Sequence, residues 1–513
     1  MPKRDLVKRI DLDDRAGKGA LTSGRAASKQ YATYVVAASN STPAGKAAAD
    51  YTCDGVSDDV EINAALAQAA GAARVLLLEG TFRLASGLTI PDSTRLEGQG
   101  EGTILQCPDG NINVAGLGND SSLCNLRING GASGSQYGAW AYLQHGCLVD
   151  GVVFSAIRNS FVNFQYCYNS HVVNCRIVDS TANSHSFLIG CNNCSFSNNL
   201  VYNCASIIIR GGWNNVINGN TLHTIADGFQ VYDALDEPGN DYYPERSTTF
   251  VGNSFTDASG AGISIDEVER CAITGNSFDH CDQAIIVSAG AKHNVISGNT
   301  IGDSISNGMY IGDCLHNLIT GNNVSGSQAE NIVVDGDAEQ NMIIGNLIRK
   351  VLNVQSITAA GPFTATYGIR MTTAAGKVNF VLDNDLRDGG STANYADTNG
   401  ANIYQEPGKI STGTATALTI ASDAITVGNS SLIRLLPQTG TADDLATING
   451  GYDGQLIVLR TATSGDTITV KDGTGNLQLA GGDFAMDSRN DKLTLIYDAD
   501  LSQWSEVARS NNA

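Results

Sequence analysis

A Gly-Asn pair returns six times between Asn214 and Arg349, at Gly219, Gly252, Gly275, Gly298, Gly321 and Gly345. The steps between successive pairs are 33, 23, 23, 23 and 24 residues. A fixed period in the twenties means that each repeat is one small unit stacked on the next, because a unit this short cannot bury its apolar face alone. Phrases such as HNVISGNTIGDSISNGMYIGDCL alternate apolar with polar residues and show no helical period, which is the signature of strands. The spaced leucines of a leucine-rich repeat are missing. The repeat therefore predicts an all-β chain whose body is a right-handed parallel β-helix. The 57 glycines and the 16% charged residues suit such a fold of short strands and tight turns.

Charge narrows the partners. Asp and Glu outnumber Lys and Arg by 52 to 31, a net charge of −21, so the body is no nucleic-acid binder. Residues 1–30 run the other way, with eight Lys/Arg against four Asp/Glu. A basic arm on an acidic body reads as a segment that docks to a larger assembly. No apolar signal-peptide core or membrane-length run occurs, and the expected location is extracellular or virion-associated without a signal peptide. The twelve cysteines are scattered, nearly all singly, as small packed residues of a stacked coil. Cys191-Asn-Asn-Cys194 has the CxxC spacing but lacks a second pair.

Three segments follow. Residues 1–48 form the arm or adaptor, which includes the short strand-like Tyr34-Val35-Val36. Residues 49–408 form the coil, opened by a capping helix near 58–70 whose apolar pattern is Val60, Ala64, Ala65, Leu66 and Ala69, with Asp58, Asp59 and Glu61 at its positive end. The period lapses through Gly361–Gly376 before a last rung or cap. From residue 409 the texture changes to longer alternating strands (LIRLLPQ, GQLIVLRTA, KLTLIYD), which predict an antiparallel, sandwich-like β domain over 409–513.

Asp54-Gly55-x-x-Asp58-Asp59, the apolar helix after it and the strands LLLEGTFRL and LEGQGEGTIL resemble the opening of the pectate-lyase-like β-helix superfamily, including phage tailspikes and polysaccharide depolymerases. The resemblance is close over about residues 49–105 and general over the coil. It implies that the helix caps the first rung and that the paired aspartates are cap residues, not catalysts. GQLIVLRTATSGDTITVKDGTGNLQLAGG and KLTLIYDADLSQWSEVARSNN resemble C-terminal modules of phage tail fibres, which implies trimerisation or binding. Coils of this type commonly associate in threes, so a homotrimer is expected, with outward Ile208, Ile286 and Val333 in a contact between subunits.

Candidate chemistry comes from the outward positions of the last strand in each repeat. Inward pairs are Ile207/Ile209, Phe229/Val231, Ile263/Ile265, Ile285/Val287, Met309/Ile311 and Ile332/Val334. The alternate positions, which include Arg210, Gln230, Tyr232 and Asp266, stack on one outer ribbon about 4.8 Å per rung. The 33-residue step puts ten extra residues after Tyr232-Asp233, in the loop Ala234–Ser247 with four acids, Tyr242, Tyr243 and Arg246. A long loop in a uniform coil is more often functional than accidental. Glycoside hydrolysis needs two carboxyls, about 5 Å apart for retention and roughly 6.5–9.5 Å for inversion. Asp233 with Asp266 or Glu267 is the first pair, with Asp227 and Glu269 in reserve. Arg210, Gln230, Tyr232, Tyr242, Tyr243 and Arg246 are the substrate-binding set. No cofactor or resident metal is required. In a lyase Asp233, Asp266 and Glu267 can hold Ca²⁺ through oxygen ligands, with Arg210 or Arg246 neutralising a uronate and a tyrosine as base. The Gly-His-Gly and Arg-x-Lys signature of polygalacturonases and the Asp-Pro-His-Glu motif of alginate epimerases are missing. His223 is expected to point outward and His280 to sit in a turn. The Asn of each Gly-Asn pair is expected in a stacked amide ladder. The function expected is polysaccharide recognition with cleavage, by hydrolysis ahead of a lyase. Its rival is a binding or structural tail protein that does not cut, and membrane insertion is not expected.

Overall fold

A computed structural model describes residues 33–512 except 72, 108–111, 131–136, 181–184, 233–244, 351–363, 399, 406–415 and 429. The basic arm over 1–30 lies outside the described residues. The chain divides into two compact units, Met1–Thr249 and Phe250–Ala513. Both contain the right-handed parallel β-helix that the repeat predicts.

In the first unit three parallel sheets grow by one strand per turn. The first sheet starts with Tyr51–Thr52, Thr33–Ala37 and Arg74–Leu77 and runs to Val216–Asn218; the second runs from Gly80–Arg83 to Thr221–Ile225; the third runs from Leu88–Ile90 to Phe229–Tyr232. Thr33–Ala37 pairs in register with Arg74–Leu77 and with Tyr51–Thr52. The coil therefore begins before residue 49, and a short helix, Pro43–Ala48, connects its first two strands. The strand-like Tyr34–Val36 belongs to the stack, not to an adaptor, because only neighbouring strands can satisfy its backbone. The capping helix is Asp59–Ala69, burying Ile62, Ala65, Leu66 and Ala69 while Val60 stands exposed. Val60 and Ala64 were thus assigned to the wrong face, and Ile62 fills it. Asp58 accepts from the backbone N–H of Gly55 at 2.8 Å and of Arg83 at 2.7 Å, and Asp59 accepts from Ala85 at 2.7 Å. Both aspartates tie the helix to the coil, the cap role that the resemblance implies.

In the second unit the first sheet runs from Ala272–Thr274 to Ile403–Gln405, the second from Ser254–Ala258 to Leu347–Arg349 and the third from Ala261–Asp266 to Ala393–Asp397. Tyr367–Thr373 pairs in register with Glu330–Gly336. The stretch that loses the sequence period is a full third-sheet strand. The period lapses because Asn341 bonds Asn379 across 38 residues, against 23 or 24 on earlier turns.

The turns explain the Gly-Asn pairs. Gly298 sits at φ +63°, in the left-handed region that glycine tolerates. The following Asn299 is buried: its Nδ2 donates to Ile273 O at 2.9 Å and to Asn322 Oδ1 at 2.9 Å, and its Oδ1 accepts from Asn276. The predicted ladder joins Asn253, Asn276, Asn299, Asn322, Asn346 and Asn384. A second ladder precedes the first sheet, through Asn294, Asn317, Asn341, Asn379 and Asn402. Its trace in the sequence is the phrase start His293-Asn294, His316-Asn317 and Gln340-Asn341.

The C-terminal strands, Thr416 to Ser510, form mixed sheets. Leu456–Thr461 with Lys492–Asp498, Lys492–Asp498 with Gln503–Ser510, and Thr467–Val470 with Phe484–Met486 are antiparallel, as expected. Thr416–Thr419, Leu432–Leu436 and Leu456–Thr461 pair in parallel, a direction that alternation alone does not encode. Trp504 is fully buried in that domain's core and donates Nε1–H to Ile448 O at 3.0 Å.

Candidate functional site on the third sheet

Alternation sends every second side chain of a third-sheet strand to solvent. The inward residues named from the sequence, among them Ile207, Phe229, Ile263, Ile285, Met309 and Ile332, are all fully buried. The outward ones stack in the predicted register within each unit.

In the first unit Ile208 lies beside Gln230 and Arg210 beside Tyr232. Arg210 Nε donates to Tyr232 Oη at 2.9 Å, and the guanidinium carbon lies 4.9 Å from the ring centroid. Asp227 Oδ2 accepts from Gln230 Nε2 at 2.9 Å and from Ser206 Oγ at 2.7 Å. Asp227 is thus a turn acid that braces Gln230, and it precedes the strand of the ribbon. Glu245–Arg246, the end of the long loop, pairs with Gly212 and Trp213 on the third sheet. Asp233, Tyr242 and Tyr243 lie outside the described residues. Ile208 is already 8% exposed within one chain, as is Val333 in the second unit, so neither offers the apolar contact surface expected of them. His223 points outward beside the ring of Tyr202, as expected.

In the second unit Asp266 is outward on Ala261–Asp266, beside Ser288. Its carboxylate accepts from Ser264 Oγ at 3.3 Å and from the Ser288 hydroxyl. Among the described residues no Lys or Arg pairs with it. Three other acids of this unit are ion-paired: Glu269 to Lys292 at 3.0 Å, Glu330 to Arg370 at 2.9 Å and Glu339 to Lys377 at 3.0 Å. Glu269, held in reserve from the sequence, is therefore engaged in a bridge between turns. Glu267 follows Asp266 at φ +59° and is exposed. Asp335 stands on the same outer row as Asp266, accepting from Thr372 Oγ1 at 2.8 Å and from the Gly336 N–H at 2.8 Å. Three strand spacings, ~14 Å, separate the two, too far for a hydrolytic pair. His280 occupies a left-handed turn, 2.9 Å from Asp257.

The sequence reading overlooked aromatic residues of the earlier turns. Trp140 and Tyr142 are outward and exposed on Tyr137–Tyr142, and Tyr166 packs edge-on to Tyr142 with centroids 5.9 Å apart. The signal was the phrase YGAWAY, two aromatics two residues apart on a strand.

All twelve cysteines are buried and unpaired by disulfides. Burial pushes the thiols of Cys107, Cys147, Cys175, Cys204, Cys281 and Cys314 up to about 12. Fully buried Cys191 also lies well above the usual range, while its hydrogen bond to Cys167 lowers the latter. The Cys167 and Cys191 thiols donate to main-chain carbonyls, Cys167 to Gln165 at 3.4 Å and Cys191 to Phe164 at 3.1 Å. His293 and His316 stack with centroids 5.1 Å apart and planes 4° from parallel. Among the described residues Cys53, Asp58 and Glu61 form the one cluster of three metal-ligating side chains.

The coil and its exposed ribbon define a protein of the right-handed parallel β-helix class. A family model described as "Periplasmic copper-binding protein (NosD)" matches residues 109–288 and 241–429, more than half of the chain together, and the chain belongs to that family. No curated protein matches the chain by sequence. Among solved structures, the A-module of mannuronan C-5 epimerase AlgE6 from Azotobacter vinelandii is 16% identical, covering 69% of this chain and 97% of its own, with a TM-score of 0.46. Tailspike protein 3 of bacteriophage CBA120 is 12% identical, covering 88% of this chain and 67% of its own, with a TM-score of 0.45. The hyperthermoactive exopolygalacturonase of Thermotoga maritima is 10% identical, covering 62% and 87%, with a TM-score of 0.38. Among the described residues no helix is long and apolar enough to cross a membrane.

Proposed function

We propose that the protein binds and cleaves a polysaccharide outside the cell, with Asp266 as one of two carboxyl groups in glycosidic hydrolysis. The observation that carries the reading is the state of Asp266. It is half-buried on an outer ribbon and braced by two serine hydroxyls, with no Lys or Arg paired to it among the described residues, whereas Glu269 three positions on is ion-paired to Lys292. A carboxyl aimed by hydroxyls and left without a cation is fit to exchange a proton. One carboxyl protonates the leaving glycosidic oxygen, and the other activates water or attacks the anomeric carbon. The second carboxyl is assigned from the sequence to Asp233 or Glu267.

The test follows reducing ends and the ultraviolet absorbance of unsaturated uronates together on a panel of neutral and acidic polysaccharides. Reducing ends without absorbance are expected, and Asp266→Asn is expected to lower the rate by roughly 10²–10⁴-fold while leaving the fold intact. Full activity in Asp266→Asn would falsify the assignment. A second reading, a lyase, is favoured by Arg210 and Tyr232, a cation for a uronate hydrogen-bonded to a phenol that can serve as base; absorbance rising with the reducing ends selects it. In that case Asp266 and Glu267 are the acids to test for Ca²⁺.

Copper binding, which the family description carries, finds no matching donor set among the described residues. Copper sites draw on thiolates, thioethers and imidazoles converging on one point. Here burial raises the thiols of Cys107, Cys147, Cys175, Cys204, Cys281 and Cys314 and keeps them protonated in the core, and the rings of His293 and His316 stack face to face. His316 Nε2 also lies 2.7 Å from Gln340 Oε1. In the Cys53–Asp58–Glu61 cluster both Asp58 oxygens are taken by backbone N–H groups, and two carboxylates with one buried thiol are a poor match for copper.

A further inference from the structure

The third sheet of the first unit exposes an aromatic row with no acid on it. Trp140 and Tyr142 are 37% and 49% exposed, large values for side chains that could have faced the core. Trp140 stacks beside Gly116 on the turn before and Asn163 on the turn after. A Cβ on Gly116 would meet Cε2, Cζ2 and Nε1 of Trp140 at 3.0, 3.0 and 3.1 Å, so the indole lies down across the glycine backbone. The same device recurs at the end of the next strand, where a Cβ on Gly190 would stand 2.7 Å from Tyr166 Cδ1. Glycine at these two places lets a ring rest on the neighbouring turn instead of standing away from the sheet. Between the aromatics sit amides, Gln165 donating Nε2 to Asn163 Oδ1 at 2.8 Å.

The outer row then continues in register: Tyr142, Gln165, Ile189, Arg210, Tyr232. Four strand spacings, ~19 Å, separate its ends, enough for several sugar rings. Four other arginines of this unit are spent on carboxylates: Arg74 and Arg95 on Glu97, Arg127 and Arg176 on Glu101. Arg210 bonds only to Tyr232 among the described residues, through Nε and the ring face, which leaves the outer edge of its guanidinium facing solvent. In a chain of net charge −21 a lone braced cation is a selective place for a negative group. Two rings laid on glycine, Trp140 and Tyr166, a third standing edge-on, amides between them and one cation at the far end fit a glycan better than a protein partner, which calls for a continuous aliphatic patch.

We propose that this face, from Trp140 to Tyr232, is a carbohydrate-binding platform. Trp140 and Tyr166 stack sugar faces, Tyr142 stands edge-on to Tyr166 as a wall, and Arg210 takes a carboxylate or sulfate carried by the same linear glycan. The proposal rests on the polysaccharide reading above and adds to it a binding surface and a preference for acidic glycans.

The test is native affinity electrophoresis of the full chain in gels holding dextran, alginate, polygalacturonate, hyaluronate or chondroitin sulfate, with cleavage scored in parallel. Wild type is expected to be retarded by at least one acidic glycan. Trp140→Ala and Tyr166→Ala are each expected to weaken that retardation about tenfold, the size of a stacked aromatic contact, and Trp140→Phe to recover part of it. Arg210→Gln is expected to erase the advantage of acidic over neutral glycans. Retardation unchanged in Trp140→Ala, Tyr166→Ala and Arg210→Gln, with cleavage still dependent on Asp266, overturns the platform and leaves the hydrolase standing. Wild type that neither binds nor cuts any glycan of the panel overturns both. Thermal melts matching wild type exclude misfolding as the cause, and Gly116→Ala, which lifts the indole without removing it, should weaken binding in the same direction as Trp140→Ala.

Discussion

The early and late turns of the coil place different residues at one structural position. In the second unit the residue after the left-handed Gly275, Gly298, Gly321 and Gly345 is asparagine: Asn276, Asn299, Asn322, Asn346. In the first unit the same position holds Cys175 and then Asn199, whose Oδ1 accepts from Cys175 N at 2.8 Å. The second ladder shows the same exchange, with Cys194 beside Asn215 and Cys271 beside Asn294. The thiol does weakly what the amide does well. Cys175 Sγ donates to Val173 O at 3.2 Å and Cys194 Sγ to Asn192 O at 3.5 Å, each to the carbonyl two residues back. The smaller thiol suits turns whose interior holds Phe154, Phe161, Phe187 and Phe196, with ring centroids 5.0 to 6.2 Å apart. Cys175, Cys194 and Cys271 are therefore ladder residues, and buried there they make poor copper ligands.

The sharpest way to break this comparison is to truncate both kinds of rung. Asn299→Ala removes two donors and strands Asn276 N, Asn276 Nδ2 and Ile273 O; leaving several buried groups unpaired costs roughly 2–4 kcal/mol. Cys175→Ala removes one sulfur and weak bonds, about 1 kcal/mol. Because a solenoid is stabilised turn by turn, amide hydrogen exchange on residues 273–324 and 149–201 reads each loss locally. Equal losses at the two sites would show that thiol and amide are not interchangeable grades of one device.

The left-handed residue before each rung sharpens the same comparison at lower cost. The first unit uses Asn125, Asn174 and Asn198 there, at φ +51°, +55° and +56°, alongside Gly151 and Gly219, where the second uses Gly275, Gly298 and Gly321. A Cβ on Gly298 would meet nothing nearer than Gly275 N at 4.0 Å, so the cost of Gly298→Ala is backbone strain alone, about 1 kcal/mol. Gly298→Asn is expected to cost half of that or less, since asparagine tolerates the left-handed region. A denaturation midpoint that falls as far for Asn as for Ala would separate the two units' turns after all.

Much of this was legible in the chain and some was not, for reasons visible at single residues. The strand faces followed from alternation, so Ile207, Phe229 and Ile285 could be placed inside and Arg210, Gln230 and Tyr232 outside. The amide ladder followed from the Gly-Asn spacing. The second ladder left its trace in the phrase starts His293-Asn294 and His316-Asn317, but on earlier turns its rungs change identity, Cys194 to Asn215 and Cys271 to Asn294, which hides the period there. The aromatic row escaped because Trp140 and Tyr142 lie where the spacing is irregular. Glu269 was legible only as an acid, and its engagement with Lys292 is a fact of neighbouring turns.

The smallest expected effect compares one ionic brace from each unit. Glu101 is held by Arg127 at 2.6 Å and Arg176 at 2.5 Å, and Asp385 by Arg387 at 2.6 Å and Arg349 at 2.7 Å. The Arg127 hydrogen bond, with Arg176 beside it, lowers Glu101, and the bonds from Arg387 and Arg349 hold Asp385 well below the usual carboxylate range. A carboxyl lowered by folding binds fewer protons in the native than in the unfolded chain, so its contribution is complete above the ordinary value near pH 4 and is lost as the pH falls through the lowered one. Stability should therefore decline on acidification below about pH 4, and Asp385→Asn should flatten that decline more than Glu101→Gln, because Glu101 is 49% exposed and Asp385 28% and water screens the former more. High salt should shrink the Glu101 part first. Melting curves between neutral pH and pH 3 with the two variants decide it; a steeper acid limb in Asp385→Asn than in Glu101→Gln would mean that solvent exposure does not rank the two braces.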